Sequence, residues 1–165
     1  MKKRQFERFC HLFQGKVIAL KSRHSTERLL IAALRHLAAP QPGPARGKDL
    51  LREAGTSERG ISTLSALMTL LPRSLPIVRL HDIASPFVSE GEIFILGELA
   101  LRQRTKPEPM RGGARWPIDL EPALNLLFEA AARALADAGL VIFHRTIFSA
   151  LQRAHDQVPR RGIMP

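Results

Sequence analysis

The sequence has no tyrosine, one tryptophan and one cysteine, and aromatics make up only 5% of its 165 residues. With so few rings, the core must be aliphatic, and Leu, Ile and Ala on helices would supply it. A single cysteine, Cys10, excludes an internal disulfide, which agrees with a reducing compartment. No apolar run approaches the ~20 residues needed to cross a bilayer. The basic start of the chain is interrupted by Lys16 and Lys21 and lacks a small-residue cleavage site, so it does not read as a secretory signal. These absences together predict a cytoplasmic protein.

Recognisable chemistry is also scarce. No two of the histidines (His11, His24, His36, His81, His144 and His155) stand at the i, i+4 spacing of helical metal sites, and zinc needs three or four converging ligands. No Gly-rich loop of phosphate-cradling form is present. Ser62, Thr63 and Ser65 fall on a predicted helix with no base nearby in sequence. His81-Asp82 resembles a fragment of the ligand set of metal-dependent phosphohydrolases, but the further His and Asp residues cannot be assembled from this chain. A polar pair in a loop is the simpler reading. Glu90 and Glu92 are explained by helix capping rather than acid–base work. The sequence therefore assigns no catalytic, metal-binding or cofactor-binding residue and no small-molecule substrate, and it predicts a non-enzymatic role.

What is present is a globular composition, 45% hydrophobic and 24% charged. A chain of this length forms one domain of ordinary size and buries ~70% of the surface its unfolded form exposes. Phe6, Phe9, Cys10, Phe13, Val17 and Leu20 recur at helical spacing over residues 5–21, with Lys and Arg on the remaining face. Residues 1–24 thus read as a basic amphipathic N-terminal helix, able to dock on the core, bind a partner groove or lie on anionic lipid. Ser25 is a candidate N-cap for a helix buried through Leu29, Leu30, Ala33, Leu34 and Leu37. Pro40, Pro42, Gly43 and Pro44 predict a stiff loop, followed by a short helix over 48–54 closed by Gly55 in a left-handed conformation.

Thr56 or Ser57 then caps a helix carrying Ile61, Leu64, Leu67, Met68 and Leu71, ended by Pro72 and Pro76. Ile77–Leu80 is the one credible strand in the middle of the chain. Ser89-x-x-Glu92 is a capping-box pattern opening a helix over 90–103, with Ile93, Leu96, Leu99 and Ala100 inward. Five proline and glycine residues make 105–118 a loop, which contains a single Arg111-Gly112-Gly113 unit and Trp116 as an anchor. Asp119 is the predicted cap of the clearest helix, with Pro122 in its first turn, Leu124, Leu127, Phe128, Ala131, Leu135 and Ala138 on one face, and Gly139 at its end. Leu140–Phe143 is ambiguous between strand and helix. Residues 144–156 are expected to form a last helix and 157–165 a disordered tail.

The net charge of +10 is unevenly spread. Residues 1–24 hold seven basic side chains against one acidic, residues 25–101 hold eight of each, and residues 102–165 hold ten against six. The central segment is neutral. Within it, Lys48-Asp-Leu-Leu-Arg-Glu-Ala54-Gly55-Thr56-Ser57-Glu58 resembles the helix-turn-helix of many bacterial DNA-binding regulators. The resemblance implies Ala54 where two helices touch, Gly55 in the turn and Ser57 opening the recognition helix. It puts Ser57, Glu58, Arg59, Ser62 and Thr63 at the exposed positions that meet base edges, and Arg46 and Lys48 are further candidate nucleic-acid-binding residues. Two features oppose it. Gly60 inside the recognition helix costs about 1 kcal/mol relative to Ala, and the neutral surroundings lack the positive excess that phosphate contacts use. An ordinary helical hairpin in the core remains the alternative.

A second, less specific pattern lies in Arg28-Leu-Leu, in Arg59-Gly60…Leu64-Ser-Ala-Leu-Met68, and in Ser85-Pro86…Ser89…Glu92 before an apolar helix. It is similar to a small uncharacterised family of bacterial helical proteins over residues 26–104, extending to the Ala-rich stretch at 122–139. No activity follows from that likeness. The expectation is an all-α, compact single-domain bundle of five to seven helices spanning residues 25–156, built around 26–39, 57–71, 90–103 and 120–138, with at most one short strand pair. Its partner is DNA, through residues 48–64, or alternatively a protein or an anionic membrane surface, through residues 1–24.

Overall fold

Apolar spacing becomes five α-helices and one minimal strand pair in a computed structural model of the chain, which describes residues 18–104 and 120–143. The order is β1 (Ile18–Ala19), a 3-10 turn (Leu20–Ser22), α1 (Ser25–Ala38), α2 (Gly43–Glu53), α3 (Glu58–Ser74), β2 (Phe87–Val88), α4 (Glu90–Arg102) and α5 (Pro122–Asp137). The architecture is an all-α compact domain, and no helix among the described residues is long and apolar enough to cross a membrane. Expectations for residues 1–17, 105–119 and 144–165, including the Trp116 anchor, the last helix and the tail, lie outside the described residues; the N-cap position of α5 is Glu121 and not Asp119, since Pro122 opens the helix.

Helix α4 is the centre. Every residue from Gly91 to Ala100 is buried, so this helix is covered on all sides, whereas the sequence pattern had suggested one inward stripe. Its start is the anticipated capping box: Ser89 Oγ accepts from the Glu92 amide at 3.1 Å, and Glu92 accepts from the Ser89 amide at 2.8 Å. Around it pack Leu30, Ile31, Ala33 and Leu34 of α1, Ile61, Leu64, Leu67, Met68 and Leu71 of α3, and Leu124, Phe128, Ala131 and Leu135 of α5.

Several boundaries differ from those read in the sequence, each for a local reason. Helix α2 begins at Gly43, not Lys48, because Pro44 occupies its first turn, where a missing N–H is harmless. Gly43 and Gly47, one turn apart, also let its backbone lie directly on α1. A Cβ on Gly47 would sit 2.9 Å from the Ala33 carbonyl oxygen and 2.9 Å from the Leu37 amide. The cap of α1 is His24 rather than Ser25, its Nδ1 accepting from the Thr26 amide at 3.4 Å. Helix α3 runs through Pro72 to Ser74, since that proline sits in the last turn on an exposed face. Residues 18–22 are a strand and a 3-10 turn instead of the end of a long N-terminal helix.

The strand pair is β1 with β2, antiparallel, with Ile18 opposite Val88 and Ala19 opposite Phe87. Ile77–Leu80 is not a strand. Pro76 and Ile77 form a turn in which the Val78 amide donates to the Leu75 carbonyl at 3.0 Å, and the irregular chain after it lies across the first turn of α4, with Ser89 Oγ donating to the Arg79 carbonyl at 2.7 Å. Gly91 permits this crossing: a Cβ there would lie 2.3 Å from the Arg79 oxygen. Leu140–Phe143 is neither strand nor helix. The Gln103 amide holds it, donating to the Leu140 carbonyl and accepting from the Ile142 amide, each at 2.9 Å.

Candidate nucleic-acid interface

Helices α2 and α3 are joined by a short turn whose chemistry follows from Gly55. That residue has φ +88°, a conformation that only glycine adopts without strain. Its amide donates to the Arg52 carbonyl and the Thr56 amide to the Leu51 carbonyl, both at 2.9 Å. These two bonds make a Schellman motif that satisfies the end of α2. Ser57 then caps α3, its hydroxyl accepting from the Gly60 amide at 3.2 Å. The turn is thus stopped and restarted within four residues, as its sequence implied.

The first turns of α3 divide by burial. Gly60, Ile61 and Leu64 face the interior, while Ser57, Glu58, Arg59 and Ser62 are exposed and Thr63 is half-buried. Gly60 has a structural purpose that its helix propensity conceals. A Cβ at that position would stand 2.7 Å from Ala134 Cβ, so glycine lets α5 cross the start of α3 closely.

The candidate residues do not all remain available for a ligand. Ser57 is engaged as the cap. Thr63 turns its hydroxyl back, donating to the Arg59 carbonyl of its own helix at 2.9 Å. Arg46 is exposed on α2 and donates to Glu53 at 3.2 Å. Ser62, Arg59 and Lys48 are exposed, and neither cation forms an ion pair among the described residues.

Sequence reasoning placed Glu58 on this surface but did not pair it, or Asp49, with a cation. Arg52 donates through Nε to Glu58 at 2.6 Å, through Nη2 to the other Glu58 oxygen at 3.3 Å, and through Nη1 to Asp49 at 2.7 Å. The pair ties the last turn of α2 to the first turn of α3. Its hydrogen bond holds the Glu58 carboxyl below the usual carboxylate range and raises Arg52 above its ordinary value. The i, i+3 spacing of Asp49 and Arg52 signalled one contact in advance; the contact across the turn depends on the Gly55 geometry.

The other missed feature is a buried ion pair between Arg35 of α1 and Glu92 of α4, whose charged atoms meet at 2.6 Å. Ordinary helix patterning marks Glu92 as a cap but gives no sign that an arginine from α1 meets it. His81 and Asp82 are both exposed in the segment leading to β2. Among the described residues, no group of three or more His, Cys, Asp or Glu side chains is placed to hold a metal ion. Known protein families, curated proteins and solved structures were all compared with this chain, and none matches it.

Proposed function

We propose that this is a non-enzymatic regulatory protein of bacterial type that binds duplex DNA through the α2–turn–α3 unit, acting in the cytoplasm. The observation that carries this reading is the division of α3 at its start. Arg59, Ser62 and Glu58 stand outward on consecutive turns while Gly60, Ile61 and Leu64 anchor the helix to the core. A rigidly seated helix whose first turns are bare has the form that enters a major groove. Lys48 and Arg59 supply the unpaired positive charge, and the helix axis adds its positive end.

The test is binding of fluorescent duplexes by anisotropy over a salt series. Arg59→Ala is expected to weaken binding roughly tenfold or more, and wild-type affinity to fall with rising salt. Equal affinity of Arg59→Ala and the wild type would refute the assignment.

A second reading is a protein-interaction or membrane-surface module using residues 1–24. It draws support from the apolar side chains Phe87, Val141 and Phe143, each more than two-fifths exposed. Phe87 lies opposite Ala19, within the basic N-terminal segment, and Phe143 packs edge-on against His24 with ring centroids 5.1 Å apart. Removing residues 1–17 would abolish partner or vesicle binding under this reading and leave DNA binding largely intact.

A further inference from the structure

We infer that the acids of the α2–turn–α3 face mask its cations, holding Arg52 on carboxylates when the wild-type protein meets DNA, so that this arginine makes no phosphate contact until those acids are removed or neutralised. The inference rests on the DNA-binding reading above and adds a mode of regulation to it.

Four basic side chains lie on or beside the motif: Arg46, Lys48, Arg52 and Arg59. Two of them are occupied. Glu53 takes Arg46, while Glu58 and Asp49 take Arg52 from two sides. All of these partners are solvent-exposed, Arg52 half so and Glu58 by 72% of its side chain. Exposed pairs of this kind are held weakly, because water and salt compete for both ends. A guanidinium satisfied by a carboxylate is nevertheless satisfied in the same forked geometry that a phosphate uses. Among the described residues, the resting surface therefore offers two cations outside an ion pair, Lys48 and Arg59, instead of four, and each acid adds repulsion toward a polyanion.

Geometry makes Arg52 the informative case. It is the only one of the four cations that bridges the two helices, through Glu58 on α3 and Asp49 on α2. Release of its carboxylates frees an arginine at the turn itself, next to the outward face of α3. Removing the acids should therefore do more than lower overall negative charge: it should add a phosphate contact. Counterion release reports that number directly, since each duplex phosphate neutralised adds roughly 0.9 to the slope of log affinity against log salt.

The experiment compares four full-length proteins on one labelled duplex over a salt series. They are the wild type, Asp49→Asn/Glu58→Gln, the same pair with Arg52→Gln added, and the charge-matched control Asp82→Asn/Glu129→Gln. All the substituted side chains are exposed, and unfolding midpoints verify that each variant is folded. The expected result is several-fold tighter binding by Asp49→Asn/Glu58→Gln, with a slope steeper by about one. Adding Arg52→Gln should cancel the gain in slope, and the control should leave the slope unchanged. A slope in Asp49→Asn/Glu58→Gln no steeper than wild type overturns the inference, as does an equal gain in the control or a gain that survives loss of Arg52. Failure is separable from failure of the DNA reading. If wild type binds in a manner dependent on Arg59 but the slope is fixed, only the masking is refuted. If neither wild type nor the unmasked variant binds any duplex, both are refuted.

Discussion

Arg35 of α1 and Glu92 of α4, 57 positions apart in sequence, form an ion pair with side chains only 1% and 0% exposed. Arg35 donates to Glu92 through Nε at 2.6 Å and through Nη2 at 3.0 Å. Its other bonds go to the carbonyls of Ser85 and Phe87. Glu92 in turn accepts from the amides of Ser89 and His81. One pair thus fixes α1, the start of α4 and the chain between residues 81 and 89.

Because each charge is buried, removing either partner strands the other. Arg35→Ala and Glu92→Ala are each expected to cost about 3–5 kcal/mol, measured as a fall in the urea midpoint at unchanged slope. An apolar pair, Arg35→Met with Glu92→Leu, avoids the stranded charge but leaves the Ser85 carbonyl and the Ser89 and His81 amides unpaired, and the Phe87 carbonyl with only a 3.4 Å bond from Ser85 Oγ. It should remain well below wild type. Full recovery of stability by that double substitution would show that the backbone bonds are unimportant.

Gly60 and Ala134 make a second testable contact, between α3 and α5. Gly60→Ala brings a methyl to 2.7 Å from Ala134 Cβ and 2.9 Å from Thr56 Cγ2. The gain in helix propensity is about 1 kcal/mol, and overpacking typically costs 1–3 kcal/mol. A net loss is expected, in spite of the exposed faces on either side. Ala134→Gly, which alone costs about 1 kcal/mol inside α5, should cost less in the Gly60→Ala chain than in the wild type, with a coupling of roughly 0.5 kcal/mol or more in a double-mutant cycle. Strict additivity would mean that the helices adjust without contact.

The legible parts of this fold were those set by local chemistry. Gly55 and Gly139 both adopt positive φ, 88° and 73°, at helix ends where the pattern placed them. Ser89 and Glu92 form their box, and the apolar periods of α1, α3 and α5 face the core. The misread parts were set by contacts between distant segments. Gly43, Gly47, Gly60 and Gly91 look like breaks or penalties in sequence, yet each is a place where another backbone or helix comes close. Arg35 resembles any helix-face arginine until Glu92 and two loop carbonyls close around it. Within the α2–turn–α3 unit, the position of each candidate side chain was readable, but its engagement was not. Ser57 and Thr63 direct their hydroxyls to the helix, and the Arg52–Glu58 contact exists only once the turn has folded, whereas Asp49 and Glu53 share α2 with the arginines they hold.

Gln103 supplies a third prediction. Its amide contacts Leu140, Ile142 and, at 3.4 Å, the Ala132 carbonyl, replacing a strand for a segment that has none. Gln103→Ala deletes both 2.9 Å bonds and leaves a partly buried donor and acceptor unpaired, at a cost of about 1–3 kcal/mol. The loss should be local. Hydrogen exchange at the Ile142 amide should accelerate by an order of magnitude or more, while amides within α4 and α3 keep their protection. Unchanged exchange at Ile142 would assign its protection to burial alone.

The Arg52–Glu58 pair yields a prediction about acid. Glu58 has a folded-state pKa below its ordinary value, chiefly because it accepts a hydrogen bond from Arg52. For such a carboxylate, the folded state binds the proton less readily than the unfolded state does. Whatever the pair contributes is therefore present above the ordinary glutamate value and disappears as pH falls through the lowered one. Carboxyl carbon NMR on Glu58 should give a titration midpoint below that of an unperturbed glutamate. Arg52→Gln should return the midpoint toward the ordinary value while leaving the fold intact, since both side chains are exposed. An ordinary midpoint in the wild type would show the pair to be absent in solution. The bridge across the turn would then be lost, and Arg52 would already be free for a phosphate.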